Sequence, residues 1–210
     1  MNKKILSAVA GAVAIAIGIG LFASGQFQSH TESLQKTSAY IEANSLLKQK
    51  LAEQNLQLSS PIKLSKPEDI EKYCSFFTDK QKQDLVQYCT STELKDKDGN
   101  FLGNIHMVGP ADAPKIVMVL IQVDPMMSQL DSVITAYDTT IKSLVCDCWS
   151  EKKPGNLDTV GQWVDGLRQF HLSDTKPHSK SNPLTLDGKS MQLELTTNQQ
   201  GYLWQFFIYY

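Results

Sequence analysis

Cys146-Asp147-Cys148-Trp149 is the compact reactive motif of this 210-residue chain. Two thiols one residue apart could hold a soft cation such as copper(I) or zinc, or exchange with other thiols. The surroundings disfavour a reactive thiolate. The motif falls at the expected C-terminal end of a long helix, where the helix dipole is negative, and Asp147 adds a second negative charge. Both raise a thiol pKa, whereas a redox nucleophile needs it lowered. A structural disulfide is therefore the favoured reading, with metal binding and redox chemistry as alternatives. A bridge across one residue would be easily reduced.

A metal site on Cys146 and Cys148 could recruit His106 and Met107, or Met126 and Met127, since imidazole and thioether suit copper. Met107 and Met126 are far from the cysteines in sequence, and methionines usually fill cores. No cofactor is expected unless copper or zinc occupies that composite site. Hydrolase chemistry finds no support, because the chain has no Gly-x-Ser-x-Gly, no His-Glu-x-x-His and no phosphate-binding glycine loop. His171 and His178 lie near Asp174 in a polar stretch and are expected in solvent. The last strand, Tyr202–Tyr210, places Trp204, Phe206 and Ile208 on one face and Leu203, Gln205, Phe207 and Tyr209 on the other. With both faces apolar-rich, it is a core strand or one covered by a partner; Trp204, Phe206 and Tyr209 are the candidate partner-binding residues.

The chain has four cysteines, Cys74, Cys89, Cys146 and Cys148. An even count in an exported domain favours disulfides, and four cysteines allow three connectivities. Cys74–Cys89 is the favoured pair, because each residue ends or interrupts an expected helix and the loop between them is short. Export itself is read from the N-terminus. Lys3 and Lys4 precede Ile5–Ala23, a run without charge or proline. As a helix it is about 28 Å long, close to the hydrocarbon thickness of a bilayer. The lysine pair keeps the amino end cytoplasmic and sends the rest across. Ala23-Ser24-Gly25 could instead be a cleavage site, giving a secreted product cut near Gly25. The formal net charge is −2. No basic run follows the lysine pair, so no nucleic-acid partner is expected.

The elements that must position these residues follow from periodicity. Residues 31–57 form a polar helix with a sparse stripe, Leu34, Ile41, Leu47 and Leu51, expected as a stalk that could self-associate. Pro67 opens a helix capped by Ser65, and Thr78 caps another reaching Tyr88. Asp98-Gly99-Asn100 marks a hairpin between strands 90–94 and 101–108. Residues 115–123 include IVMVLIQV, a central strand buried on both faces. A long helix follows Pro125 and reaches Cys146, a second spans 157–170, and 173–182 is a loop. Strands at 191–196 and 202–210 complete the chain.

Gly109-Pro110-Ala111-Asp112-Ala113-Pro114, leading into that apolar strand, resembles the approach to the first catalytic strand of Dsb-type thioredoxin-like proteins. In that family the strand leads to Cys-x-x-Cys at a helix N-terminus. Here the matching residues are Asp124-Pro125-Met126-Met127, without cysteine, so the resemblance implies an inactive relative and assigns no site residue.

The expected fold is α+β: a transmembrane signal anchor over 1–25, a helical stalk and linker over 26–64, and an extracytoplasmic domain over 65–210. In the last, a mostly antiparallel sheet of about five strands packs with two or more helices. The expected role is non-enzymatic binding or assembly, as an accessory subunit with an envelope protein partner. The alternative is a metal or thiol-redox protein centred on Cys146 and Cys148.

Overall fold

The computed structural model of the chain describes residues 38–173 and 176–210. The expected anchor, the first part of the expected stalk and Asp174 lie outside them. No helix among the described residues is long and apolar enough to cross a membrane.

The fold is α+β, built on an antiparallel sheet of nine strands. Helix α1 (Ser38–Ala52) leads to short strands β1 (Gln57–Leu58) and β2 (Ile62–Leu64), then to helices α2 (Pro67–Tyr73) and α3 (Lys80–Asp84). Strands β3 (Tyr88–Lys95), β4 (Phe101–Gly109) and β5 (Ile116–Val123) form a meander. Helices α4 (Leu130–Leu144), α5 (Trp149–Lys152) and α6 (Val160–Ser173) follow, then β6 (His178–Lys180), β7 (Leu184–Leu186), β8 (Lys189–Asn198) and β9 (Gly201–Tyr209). The sheet order is β1-β3-β4-β5-β9-β8-β6, with β2 also on β3 and β7 also on β8. The four strands beyond the expected five are two or three residues long and lie along the outer edges of β3 and β8. Short edge strands leave little unpaired backbone for another chain to extend.

Local chemistry sets the meander. At the β3–β4 turn the Asp96 carboxylate accepts from the Asp98 and Asn100 amides, at 2.9 and 2.8 Å, and Gly99 takes a positive φ of 83°. At the β8–β9 turn Gly201 has φ 126°, and a Cβ there would strike the Val123 carbonyl, so the turn fits against the end of β5 only with glycine. Strand β5 is central, as its composition predicts. Val117, Val119, Ile121 and Val123 point to one core, and Ile116 and Met118 point to another.

The larger core lies under α1, α4 and α6. Val133, Ala136, Tyr137 and Ile141 form the buried stripe of α4, and Val160, Trp163, Val164 and Leu167 that of α6. Phe206 of β9 meets both, with ring centroids 5.0 Å from Tyr137 and 6.1 Å from Trp163. The other face of the sheet carries a smaller core. There α2, α3 and their connections form a flap in which Ile70, Cys74 and Val86 pack on Cys89, Val108, Ile116, Met118 and Phe207.

Several expectations are corrected. The segment expected as a free stalk is, over Ser38–Ala52, a core helix: Tyr40, Leu47 and Leu51 are fully buried. The Tyr40 hydroxyl donates to the Pro110 carbonyl at 2.8 Å. The Asn44 amide donates to Thr90 Oγ1 at 3.2 Å and accepts from the Thr92 hydroxyl at 2.9 Å. The stripe is sparse because one buried position is polar and faces threonines, and Ile41, counted in it, is exposed. That buried stripe is used within the domain, which removes it as a surface for self-association. Asp79 rather than Thr78 caps α3, accepting from the Gln81 amide at 2.9 Å, and α3 ends at Asp84 because Tyr88 begins β3. Lys66 rather than Ser65 is the N-cap residue of α2, without a side-chain bond. The strand-to-helix step of the thioredoxin-like resemblance is present as β5 and α4, but every strand pair in the sheet is antiparallel.

Candidate functional site

Three places bring chemistry-bearing side chains together. The first is the corner after α4. That helix ends when the Val145 and Cys146 amides both donate to the Ile141 carbonyl, at 2.8 and 3.1 Å. Cys146 and Cys148 are bonded to each other, S–S 1.91 Å and Cα–Cα 5.3 Å, and both are half-buried while Asp147 is exposed. Trp149 then turns inward: its indole N–H donates to the Leu157 carbonyl at 3.1 Å and its ring lies 5.8 Å from that of Trp163. Lys142, one turn back on α4, is held more basic than usual by its hydrogen bond to Asp138 and by the charges of Asp138 and Asp147.

The second bridge, Cys74–Cys89, joins the C-cap of α2 to β3, and both sulfur-bearing residues are fully buried. Beside it lies His106, 7% exposed, with its ring 4.7 Å from that of Phe76. Its Nδ1 meets no hydrogen-bond partner among the described residues, and burial pushes its pKa down to about 4. Met107, its neighbour in β4, points to the opposite face, where its sulfur accepts from the Asn44 amide at 3.4 Å. Successive residues of a strand alternate faces. His106 and Met107 are therefore not brought together, and Cys146 and Cys148 pack against the helix-side core with no free thiolate. Among the described residues no cluster of three or more His, Cys, Asp or Glu could hold a metal ion.

The third place is the part of the flap-side face beyond the flap. Glu93, Asn104, Leu120, Gln205, Glu194 and Lys180 stand in register across β3, β4, β5, β9, β8 and β6. The first five are half-buried and Lys180 is exposed. Charge is neutralised at both ends of this row. Lys95 pairs with Glu93 at 3.0 Å and holds its carboxyl below the ordinary range; Lys180 pairs with Glu194 at 2.7 Å. The middle presents neutral amides and one leucine. The adjacent row adds Gln122, Leu203 and Thr196, with Gln122 accepting from the Asn198 side-chain amide at 2.7 Å. Sequence reasoning missed this surface, because no single strand signals a row that only cross-strand register assembles.

Other expected sites resolve into the core. Trp204 and Phe206 are fully buried beneath the helices, so they do not face a partner. Tyr209 is half-buried on the other face, stacked on Phe207 with centroids 6.1 Å apart. His171, expected in solvent, is 1% exposed: Nδ1 lies 2.9 Å from Ser179 Oγ and Nε2 lies 2.8 Å from Thr197 Oγ1. Burial, then the positive charges of His178 and Lys176, lower its pKa. Ser179 is itself buried, and the second ring nitrogen meets the Thr197 hydroxyl. The imidazole thus ties α6 to β6 and β8. A shallow groove of about 250 Å³ lies between Asn55, Asp96, Asp98 and Asp131, smaller than the usual small-molecule pocket. No protein-family model, no curated protein and no solved structure matches the chain.

Proposed function

We propose that the chain is a membrane-anchored, extracytoplasmic domain whose role is non-enzymatic binding or assembly, as an accessory subunit with another envelope protein. The observation that carries this reading is the closure of all four cysteines into two bridges, in a chain whose apolar run Ile5–Ala23 follows Lys3 and Lys4. Disulfides persist outside the reducing cytosol. The lysine-flanked run supplies both an export signal and a tether.

Binding is favoured over catalysis by the surface on offer. The amide row from Glu93 to Lys180 runs across six strands, with donors and acceptors already oriented by the sheet. A surface of this kind suits the backbone and side-chain groups of a folded protein better than it suits a small molecule. The test is photo-crosslinking in intact cells from position 205, with protease protection of residues 26–210 measured in parallel. A position-dependent adduct with one envelope protein and proteolysis from the outer side are expected. A product in the cytosol with four reduced cysteines would remove the reading. A mature mass beginning near Gly25 would change the anchored form into a secreted one.

A further inference from the structure

We propose that Cys146–Cys148 is a thiol–disulfide exchange site that accepts electrons from an incoming dithiol. The two bridges of this chain differ in access. Cys74 and Cys89 are fully buried between the flap and β3, whereas Cys146 and Cys148 are half-buried on either side of exposed Asp147. Exchange requires a thiolate to reach a sulfur, so access selects the second bridge.

The surrounding corner also stands without the bridge. Val145 and Cys146 are fixed by their bonds to the Ile141 carbonyl, and the Cys148 carbonyl accepts from the Glu151 and Lys152 amides, at 3.2 and 3.0 Å. Trp149 is anchored by Leu157 and Trp163. A link across one residue restricts little of the unfolded chain. Its place on the surface is thus better explained by reactivity than by stabilisation.

The exchange balances as follows. One thiolate of the dithiol attacks Sγ of Cys146 or Cys148, the S–S bond breaks, and the departing sulfur takes a proton. The second thiol of the donor, losing its own proton, then attacks the mixed disulfide. The donor leaves as a disulfide, and the chain keeps two thiols, two electrons and two protons. The end of α4 and the Asp147 carboxylate both disfavour negative charge on these sulfurs. The reduced pair is therefore held as neutral thiols, and its reclosure by an oxidised partner proceeds through the small fraction ionised as thiolate.

The test uses the full chain in detergent, incubated with dithiothreitol without denaturant, quenched by alkylation at intervals and mapped by mass spectrometry. Labelling at Cys146 and Cys148 at least about tenfold faster than at Cys74 and Cys89 is expected. Trp149 fluorescence should rise with the same time course as the neighbouring disulfide opens. A dithiol peptide should be oxidised stoichiometrically by the wild-type chain and not by Cys146→Ala/Cys148→Ala. Simultaneous opening of both bridges, or no labelling at Cys146 and Cys148 before unfolding, would overturn the proposal. The wild-type measurement stands whatever the stability of the variant, and it is independent of where the protein resides.

Discussion

The two bridges pose opposite solutions to the placement of sulfur. Cys74–Cys89 spans 15 positions, is wholly buried and joins the flap to the sheet. Cys146–Cys148 spans 2, is half-exposed and joins a corner to itself. In the chain-entropy model the longer closure contributes about 3 kcal/mol and the shorter about 1.5 kcal/mol. The flap, moreover, has little else to hold it: apart from Ile70 and Val86 its large apolar residues are half-buried or exposed, Tyr73 and Leu85 among the exposed ones. The corner is held by α4, Trp149 and the main core. One bridge therefore substitutes for packing, and the other is added where packing already suffices.

Replacing Cys74 and Cys89 together by alanine should have the largest effect. The expected loss is about 3 kcal/mol, read as a drop in the urea midpoint. The same variant should free His106. In the wild type its imidazole is buried neutral beneath Phe76, with uncharged Ser91 and Met118 as its cross-strand neighbours. Its folded pKa, about 4, lies below the ordinary 6.5. Between those values the unfolded chain binds the proton that the folded chain refuses. Stability is thus full above about pH 6.5 and falls as pH drops towards 4, by up to about 3 kcal/mol. Urea melts across that range should show the slope in the wild type and a much smaller one without the flap bridge. An equal slope in both would place His106 outside the flap's protection.

Cys146→Ala/Cys148→Ala should cost no more than about 1.5 kcal/mol, with the Trp149 environment retained in near-ultraviolet dichroism. Equal losses in the two double variants would erase the distinction between a bridge that replaces packing and one that does not.

The same contrast explains what could be read in the sequence. The five long strands, the β3–β4 turn and the stripes of α4 and α6 are written in local periodicity, which depends on neighbours a few residues away. The Cys74–Cys89 pair was legible because Cys74 ends a local helix and the loop to Cys89 is short, although Cys89 lies inside β3 and not at a helix end. Helix α1 was legible as a helix but its burial was not, because its packing face includes Asn44, whose partners Thr90 and Thr92 are 46 and 48 residues distant. His171 failed for the same reason: its burial comes from Ser179 and Thr197, and nothing in its own segment signals it. The amide row is the extreme case, since it joins six strands by register alone.

That row carries the smallest expected change in stability. Gln205 lies between Leu120 and Glu194, and its side-chain amide makes one long hydrogen bond, 3.4 Å, to Thr196 Oγ1. Its replacement by alanine removes that contact without opening the core behind Trp204 and Phe206. The cost should stay below about 1 kcal/mol. Crosslinking from the neighbouring Leu203 position in intact cells should nevertheless fall sharply if the row is the contact surface, whereas Phe101→Ala, at an exposed site on the far hairpin, should leave it unchanged. A Gln205→Ala chain that folds normally and crosslinks as strongly as the wild type would move recognition off the sheet. It would leave the half-exposed sulfurs at residues 146 and 148 as the remaining reactive surface.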